Sequence, residues 1–203
     1  MSQAQKTATT QHPILDCLAQ RWSPRAFTDQ PVERDQLRQL FEAARWAASA
    51  FNEQPWRFIV ATNDQAEHYD RVLSCLVEAN QAWAKAAPVL VITAVSEVFK
   101  KNGKDNRCAE HDLGLAMGNL SAQATALDLV VHQMAGIDQE RAQNVLQIPG
   151  GYHAFSAVAI GHPGAPEDLP EGWMRESEIA PRDRAAFDDF VFACTFGEAT
   201  GWF

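Results

Sequence analysis

The sequence lacks the short glycine-rich motifs that mark several common nucleotide-binding and hydrolase folds. No G-x-G-x-x-G follows a candidate strand, and neither G-x-x-x-x-G-K-[ST] nor G-x-S-x-G occurs in the 203 residues. Their absence removes the main support for a Rossmann, a P-loop or an α/β-hydrolase fold. A chain of this length corresponds to one domain.

Cysteine is scarce and scattered. The four cysteines, Cys17, Cys75, Cys108 and Cys194, form no C-x-x-C pair and no cysteine–histidine cluster with the spacing of zinc ligands. Scattered cysteines in a chain of this length are more often reduced and buried than paired or metal-bound. The sequence therefore predicts neither a disulfide framework nor a metal site.

Long apolar runs are also missing. The N-terminus is polar and has no apolar stretch of the kind found in a secretory signal. The longest weakly charged segment, 113–131, contains Asn119, Gln123 and Asp128, which are too costly to place in lipid. We therefore expect a cytoplasmic protein that does not bind membranes.

Positive charge is in short supply. Lysine and arginine total 17 against 26 aspartates and glutamates, so the net charge is −9 and the pI is about 5.1. Such a chain repels nucleic acid and anionic membranes on average. If the protein binds a phosphorylated ligand, the positive charge must be gathered locally.

Hydrophobic periodicity predicts an interleaved arrangement of helices and strands. Helical spacing of apolar residues favours helices over 11–20, about 37–48, a segment capped by Asp64, 107–127 and 138–146. Short apolar runs favour strands over 56–62, 88–95, 129–133, 153–161 and 190–196. Small residues, including Gly114 and Gly118, are expected on the inner face of the longest helix. The pattern indicates an α+β or α/β fold around one small sheet.

Two segments carry side chains suited to ligand binding. Arg21, Ser23 and Arg25 alternate in one loop, and two guanidinium groups with a hydroxyl suit a phosphate. Asn52 and Gln54 precede a strand, and their amides can pair with a ligand edge that alternates carbonyl and N–H groups. Taken alone, the first segment also fits an ordinary solvated surface, and the second fits an ordinary turn.

Together these segments resemble the FMN-dependent nitroreductase family. Its members have a short helix, an R-x-S-x-[RK] loop, a helix ending A-R-W-[AP]-[PA]-S, and the motif N-x-Q-P-W before a strand. This chain has R-W-S-P-R at 21–25 and AARWAASAFNEQPWRF at 43–58. Later matches are M-A-G-I at 134–137, I-P at 148–149, I-G-H-P at 160–163 and R-D-R at 182–184.

The resemblance covers roughly residues 12 to 190 and implies an α+β, nitroreductase-like fold. A small, mostly antiparallel sheet would be flanked by helices in an intertwined homodimer. A flexible N-terminal arm over 1–10 would precede a single FMN-binding domain over 11–203, whose C-terminal tail reaches the partner subunit. The segments 96–107 and 164–180 depart from the family pattern, and we expect them to shape substrate access.

The resemblance assigns the phosphate and ribityl chain of FMN to five residues. These are Arg21, Ser23, Arg25, Arg182 and Arg184. They would supply the local positive pocket that an acidic protein needs.

The flavin ring would be held by a second set. Asn52 would bind the pyrimidine edge with support from Gln54. Backbone N–H groups around Ala135 and Gly136 would lie near flavin N5 and O4, where negative charge gathers on reduction. Ser49 would meet the flavin from the partner subunit.

The implied activity is a ping-pong reduction in which NADH or NADPH passes hydride to FMN. The acceptor would be a nitroaromatic, a quinone or a similar conjugated small molecule. No catalytic side chain is expected, and His132 is interpreted as a core histidine. Two alternatives stay open: an FMN-binding protein without turnover, and a different flavin reaction, such as that of dehalogenase or flavin-destructase relatives.

Overall fold

A four-stranded antiparallel sheet forms the frame of the molecule, which a computed structural model describes over residues 6–202. The strands lie in the order β1-β2-β4-β3, with bounds β1 Trp56–Thr62, β2 Val89–Ser96, β3 Val130–Met134 and β4 Tyr152–Gly161. Every neighbouring pair runs antiparallel. This arrangement confirms the predicted α+β class and its small antiparallel sheet.

Helices cover both faces of this sheet. The α-helices are α1 Asp16–Gln20, α2 Arg34–Arg45, α3 Ala66–Leu73, α4 Glu78–Ala84, α5 Ala109–Ala126, α6 Gln139–Val145 and α7 Trp173–Ile179. Short 3-10 helices lie at Ala50–Asn52, Pro166–Asp168 and Phe187–Asp189. Among residues 6–202, none of the helices is long and apolar enough to cross a bilayer.

Strand β2 lies between two hydrophobic clusters, and all eight of its residues are buried. Val89 and Val91 pack with α2 and α5 on one face, whereas Leu90 and Ile92 pack with α3, α4 and α6 on the other. A strand buried on both faces can be apolar along its whole length. This double burial is the reason the run PVLVITAV predicts the strand to within one residue.

The end of β4 holds the R-W-S-P-R loop (21–25) against the sheet. Gly164, which follows the I-G-H-P motif, donates its amide to the carbonyl of Ala26 at 2.9 Å. A Cβ at position 164 would lie 2.9 Å from backbone atoms of Phe27. Only glycine permits so close an approach of two backbones.

Two predicted helices are shorter than their apolar patterns. Helix α1 begins at Asp16 rather than at Gln11, and Leu15 just before it is 70% exposed. Helix α2 ends at Arg45, so Ala48 lies beyond it and is exposed. In both places apolar residues continue at helical spacing, but no neighbour among the described residues covers their side chains.

Helix α3 begins one residue later than predicted, and helix α4 was not predicted at all. The N-cap of α3 is Gln65 rather than Asp64. In α4 only Trp83 and Ala84 are buried among seven residues. So short an apolar pattern shows no helical period.

Helix α5 turns its glycines outward, contrary to the prediction. Gly114 and Gly118 are exposed, and a Cβ at either position would meet no atom within 4 Å. The inner face consists of larger side chains such as Leu113, Met117 and Leu120, which are buried. Because small residues occur on both faces of the helix, their spacing did not distinguish the inner face from the outer one.

The C-terminal run 190–196 is not a strand, contrary to the prediction. Phe192 pairs with Ala199 in an isolated bridge, while Phe190 and Phe196 are 58% and 91% exposed. A strand needs the edge of another strand to bond to. Within residues 6–202, this run finds such a partner only in its own continuation.

Part of the expected N-terminal arm lies against the rest of the chain. Lys6 is buried, and the amide of Ala8 donates to the carbonyl of Ala19 at 2.9 Å. Residues 1–5 of that arm lie outside the described residues.

Candidate functional site

Three arginines from opposite ends of the chain come together beside the R-W-S-P-R loop. Arg21 is half-buried, and its guanidinium donates to the hydroxyl of Ser23 at 3.1 Å. Burial and the charge of Arg184 lower the pKa of Arg21. Burial and the charges of Arg21 and Arg184 likewise lower the pKa of Arg182. Arg21 and Arg182 are therefore partly desolvated, and the exposed Arg184 lies near enough to interact with both charges.

The guanidinium groups of this arginine cluster (Arg21, Arg182 and Arg184) are not paired with an acid in the described part of the chain, although the carboxylate of Asp183 accepts from the amide of Arg184 at 2.8 Å. Among the described residues, none of its members forms a salt bridge. Arg182 donates instead to the backbone carbonyls of Lys6 at 2.8 Å and Ala19 at 2.7 Å. Neutral carbonyls do not balance the repulsion between like charges, whereas an anion does. The arrangement would suit an anion.

Arg25, in the same loop, is held by side chains of helices α4 and α7. Its guanidinium lies 4.9 Å from the ring centre of Trp173 and 5.9 Å from that of Trp83. It also donates to the hydroxyl of Ser177 at 3.0 Å. Its Nε is buried and has no hydrogen-bond partner in the described part of the chain. The guanidinium is thus oriented while one of its donors stays available.

The last turn of α7 anchors the backbone of the loop. Glu178 is 3% exposed, and its carboxylate accepts hydrogen bonds from the amides of Arg25, at 3.0 and 3.2 Å, and Ala26, at 3.0 Å. A buried carboxylate is stable only when it is hydrogen-bonded and its charge is compensated. Lys6 supplies the opposite charge: burial lowers the pKa of Lys6, and the charge of Glu178 acts in the other direction.

The turn from Ser49 to Gln54 adopts a backbone conformation that most residues avoid. Phe51, Asn52 and Gln54 have φ angles of 54°, 56° and 50°, in the left-handed region. The hydroxyl of Ser49 accepts from the amide of Gln54 at 3.1 Å. The side-chain amide of Gln54 donates to both oxygens of Asn52 at 3.1 Å. Strain of this kind persists where the surroundings enforce it, and it concentrates at ligand sites.

The end of β3 brings Ala135 and Gly136 beside helix α4. Ala135 is exposed, and the carbonyl of Gly136 accepts from the amide of Val77 at 3.1 Å and from the side chain of Asn80 at 3.0 Å. A Cβ at position 136 would lie 2.6 Å from the side-chain nitrogen of Asn80. This close approach is by itself a structural reason for the glycine.

His132 connects β3 to the R-W-S-P-R loop. Its Nδ1 lies 2.8 Å from the carbonyl oxygen of Pro24, and its ring centre lies 4.5 Å from that of Trp83. Burial, assisted by the charge of Arg25, lowers the pKa of His132 to about 4. At neutral pH the ring is therefore neutral, and its Nδ1–H donates to Pro24.

The ten residues predicted to bind a cofactor fall into three groups. The arginines and Ser23 surround the loop 21–25, one serine and two amides share the turn 49–54, and the pair 135–136 ends β3. The contact between His132 and Pro24 connects the first group to the third. Among the described residues, no hydrogen bond or ion pair connects the turn to either of the other groups.

Comparison with known proteins assigns this arrangement to a family. The family model described as the nitroreductase family matches residues 18–162. The chain belongs to the nitroreductase family. The matched segment includes the loop, the turn and the end of β3, but it stops before Arg182 and Arg184. The place of those two arginines in the site rests on their geometry.

Relatives of this nitroreductase-family chain share its fold over most of their length. A crystal structure described as an oxidoreductase containing FMN is 34% identical, covers 94% of this chain and 96% of its own, and has a TM-score of 0.87. A Desulfovibrio desulfuricans protein, described as a nitroreductase in complex with FMN, is 25% identical, covers 87% and 100%, and has a TM-score of 0.63. The major NAD(P)H-flavin oxidoreductase of Aliivibrio fischeri is 26% identical over 89% of this chain and 98% of its own.

The sequence analysis did not identify the residues of α7 and the N-terminal segment that hold the R-W-S-P-R loop in place. Trp173, Ser177 and Glu178 lie in a segment that departs from the family pattern, and Lys6 lies in the expected arm. Positions four residues apart share one side of a helix, so Trp173 and Ser177 could have been paired. Nothing in the sequence shows that this side faces Arg25.

Replacing His132 with asparagine tests the neutral state of its ring. Asparagine keeps an N–H that can donate to Pro24, but it does not titrate. Because the folded-state pKa of about 4 lies below the ordinary 6.5, the stability that His132 contributes is complete above pH 6.5 and is lost as the pH falls towards 4.

Between pH 7 and pH 5, the parent protein should lose about 2 kcal/mol more unfolding free energy than His132→Asn. Urea denaturation at equal protein concentration measures both values. An equal loss of unfolding free energy in the two proteins would show that burial does not lower the pKa of His132.

Proposed function

We propose that this chain binds FMN and uses it for the NAD(P)H-dependent reduction of a nitroaromatic, a quinone or a similar conjugated acceptor. The observation that carries the proposal is the arginine cluster, which is partly desolvated and has no acidic partner among the described residues. In a chain of net charge −9, a basic cluster whose guanidinium groups form no salt bridge suits an anion. The phosphate of FMN is such an anion, and two solved relatives are described with FMN.

Buried donors in the loop fit the same group. The indole N–H of Trp22 and the Nε–H of Arg25 are buried and find no acceptor within residues 6–202. Buried donors without acceptors are rare in folded proteins. Phosphate and ribityl oxygens would satisfy them, with Arg21 and Ser23 on the same loop and Arg182 and Arg184 opposite.

The turn and the end of β3 would hold the flavin ring. The bond from Gln54 to Asn52 leaves the side-chain N–H groups of Asn52 and the carbonyl of Gln54 free to pair with an alternating ring edge. The backbone N–H groups of Ala135 and Gly136 would supply positive dipoles near N5 and O4. Ser49 would contact the flavin of the partner subunit.

When bound, FMN supplies hydride transfer from NADH or NADPH to the acceptor. The chain would bind and orient the cofactor and both small molecules. His132 would not act as an acid, because its pKa of about 4 leaves it unprotonated at neutral pH. We assign it the positioning of the loop through Pro24, and solvent would supply the protons.

Anaerobic absorbance spectroscopy tests the proposed function. The purified protein should be yellow, should lose its flavin absorbance when NADH or NADPH is added, and should regain it with a nitroaromatic or a quinone. A yellow protein that neither nucleotide bleaches would indicate binding without turnover. A bleached protein that these acceptors do not recolour would indicate a different flavin reaction.

Replacing Arg184 with alanine tests the phosphate site. Arg184 is exposed, so its removal should leave the fold intact. The loss of one charge-assisted hydrogen bond should weaken FMN binding about tenfold or more, while riboflavin, which has no phosphate, should bind almost as before. Titration of the two ligands by flavin fluorescence measures this difference.

Arg34→Ala is the matched control, because Arg34 is also an exposed arginine but lies at the start of α2. It should leave both affinities unchanged. An equal loss of FMN and riboflavin binding in Arg184→Ala would mean that Arg184 does not contact the phosphate.

We also propose that the protein is a homodimer with the flavin between its subunits. Large apolar side chains stand exposed on the single chain: Leu15 70%, Trp46 75%, Phe51 92%, Phe196 91% and Trp202 79%. Exposed apolar surface on this scale marks interaction sites. The open glycines of α5, Gly114 and Gly118, would admit a second helix at close range, and the C-terminal tail would cover the partner.

Replacing Gly118 with arginine should separate the proposed dimer. A Cβ at this position meets nothing within 4 Å, so the single chain accommodates the change, whereas a closely packed second helix would not. Size-exclusion chromatography with light scattering should show a colourless monomer. Gly150→Arg, at another open position, should stay dimeric and yellow. A yellow, active monomer of either the parent or Gly118→Arg would contradict the shared site.

A further inference from the structure

A preformed hairpin follows β2 in the segment that departs from the family pattern. Val98 pairs with Asp105, and the amide of Phe99 donates to the carbonyl of Lys104 at 2.8 Å. The amide of Gly103 donates back to the carbonyl of Phe99 at 2.8 Å, and its φ of 67° closes the tip. These bonds order the tip before any ligand arrives, which lowers the entropic cost of binding.

The tip of this basic hairpin (residues 98–105) concentrates positive charge. Lys100, Lys101 and Lys104 are three of the five lysines in the chain, and all three are exposed. No acid lies between Phe99 and Lys104. Within residues 6–202, none of the three ammonium groups forms a salt bridge. On a protein of net charge −9, three positive charges stand together at the tip, while the acids Glu97 and Asp105 lie at the base of the hairpin.

Three contacts fasten the hairpin to the turn 49–54, one of them from the ammonium group of Lys100 to the backbone carbonyl of Glu53 at 3.4 Å. The carboxylate of Glu53, which is 9% exposed, accepts from the amide of Lys100 at 2.7 Å. The ring of Phe99 meets that of Phe51 edge-on, with centres 5.9 Å apart. Glu53 is the residue between the two amides proposed to hold the flavin edge, so the lysines stand at the rim of the proposed ring site.

We propose that the basic hairpin binds the 2′-phosphate of NADPH and makes NADPH the preferred hydride donor. The inference rests on the proposed function, because it places a pyridine nucleotide over the flavin. The nicotinamide would lie at the ring, so the adenosine end would extend towards the rim. Lysine ammonium groups suit a phosphate monoester as point charges, and basic side chains accommodate this phosphate in other dinucleotide sites. NADH presents only a hydroxyl at the same position.

Exposure of the lysines favours this phosphate over the pyrophosphate that both nucleotides share. The pyrophosphate lies between the nicotinamide and the adenosine, closer to the ring. Lys101 and Lys104 are exposed, and the ammonium group of Lys100 donates to the backbone carbonyl of Glu53 at 3.4 Å. All three would therefore lie beside the adenosine end of the nucleotide, beyond the pyrophosphate. A hairpin that served the pyrophosphate would not distinguish the two donors.

The test replaces Lys100, Lys101 and Lys104 together with glutamine in the full-length protein carrying its cofactor. Exposed charge pairs contribute modestly, so kcat/KM for NADPH should fall about tenfold and that for NADH should stay within about twofold. The loss for NADPH should shrink at high salt, because ions screen exposed charges. The triple replacement with arginine should keep the preference. Lys85→Gln, which changes an exposed lysine at the C-cap of α4, should behave as the parent.

Isothermal calorimetry supplies a second readout that does not need turnover. Adenosine 2′,5′-bisphosphate should bind the parent protein and bind the glutamine variant about tenfold more weakly, while adenosine 5′-phosphate should not distinguish them. Equal losses for NADPH and NADH, or no loss for either, would overturn the inference, as would unchanged binding of the bisphosphate. Failure of both nucleotides to bleach the parent would reject the proposed function, and the calorimetry would still decide the role of the hairpin.

Discussion

The buried carboxylate of Glu178 connects the two ends of the chain. It accepts hydrogen bonds from the amides of Arg25 and Ala26, and Lys6 lies near enough for their charges to interact. A carboxylate removed from water is costly unless hydrogen bonds and an opposite charge compensate it. These contacts hold helix α7, the R-W-S-P-R loop and the chain around Lys6 in one arrangement. Displacement of any of them would leave a buried charge without its hydrogen bonds or its opposite charge.

This constraint explains how an acidic protein can gather positive charge at one point. Arg182 and Arg184 follow α7 directly, so the anchoring of α7 by Glu178 brings them to Arg21 at the other end of the chain. Burial and the charges of neighbouring arginines lower the pKa of Arg21 and Arg182, because like charges repel one another where water is partly excluded. The packed sheet and the contacts of Glu178 hold the arginines together despite their repulsion. Folded proteins commonly maintain such unfavourable local arrangements at functional sites.

Elements with a single, uniform environment were predictable from the sequence. Strand β1 has the predicted bounds, 56–62, and β2 differs from its prediction by one residue. For β2 the reason is its burial on both faces, which permits an apolar run along the whole strand. Elements whose environment depends on distant neighbours were not. Helix α5 has small residues on both faces, so Gly114 was assigned to the wrong one. The run 190–196 has strand composition but no edge to pair with in the described chain.

The sequence by itself determined which short motifs exist and in what order, and those motifs led to the family. Arg21, Ser23 and Arg25 could be grouped because they alternate in one loop, and Asn52 and Gln54 because they share one turn. Only the tertiary structure decided that Arg182 and Arg184 join the first group, that α7 supports Arg25, and that a lysine-rich hairpin stands beside the turn. Local motifs arise from neighbouring residues, which a sequence displays, whereas the charge of a site and its supports arise from packing between segments far apart in the chain. That packing is set by burial and hydrogen bonds that no local pattern records.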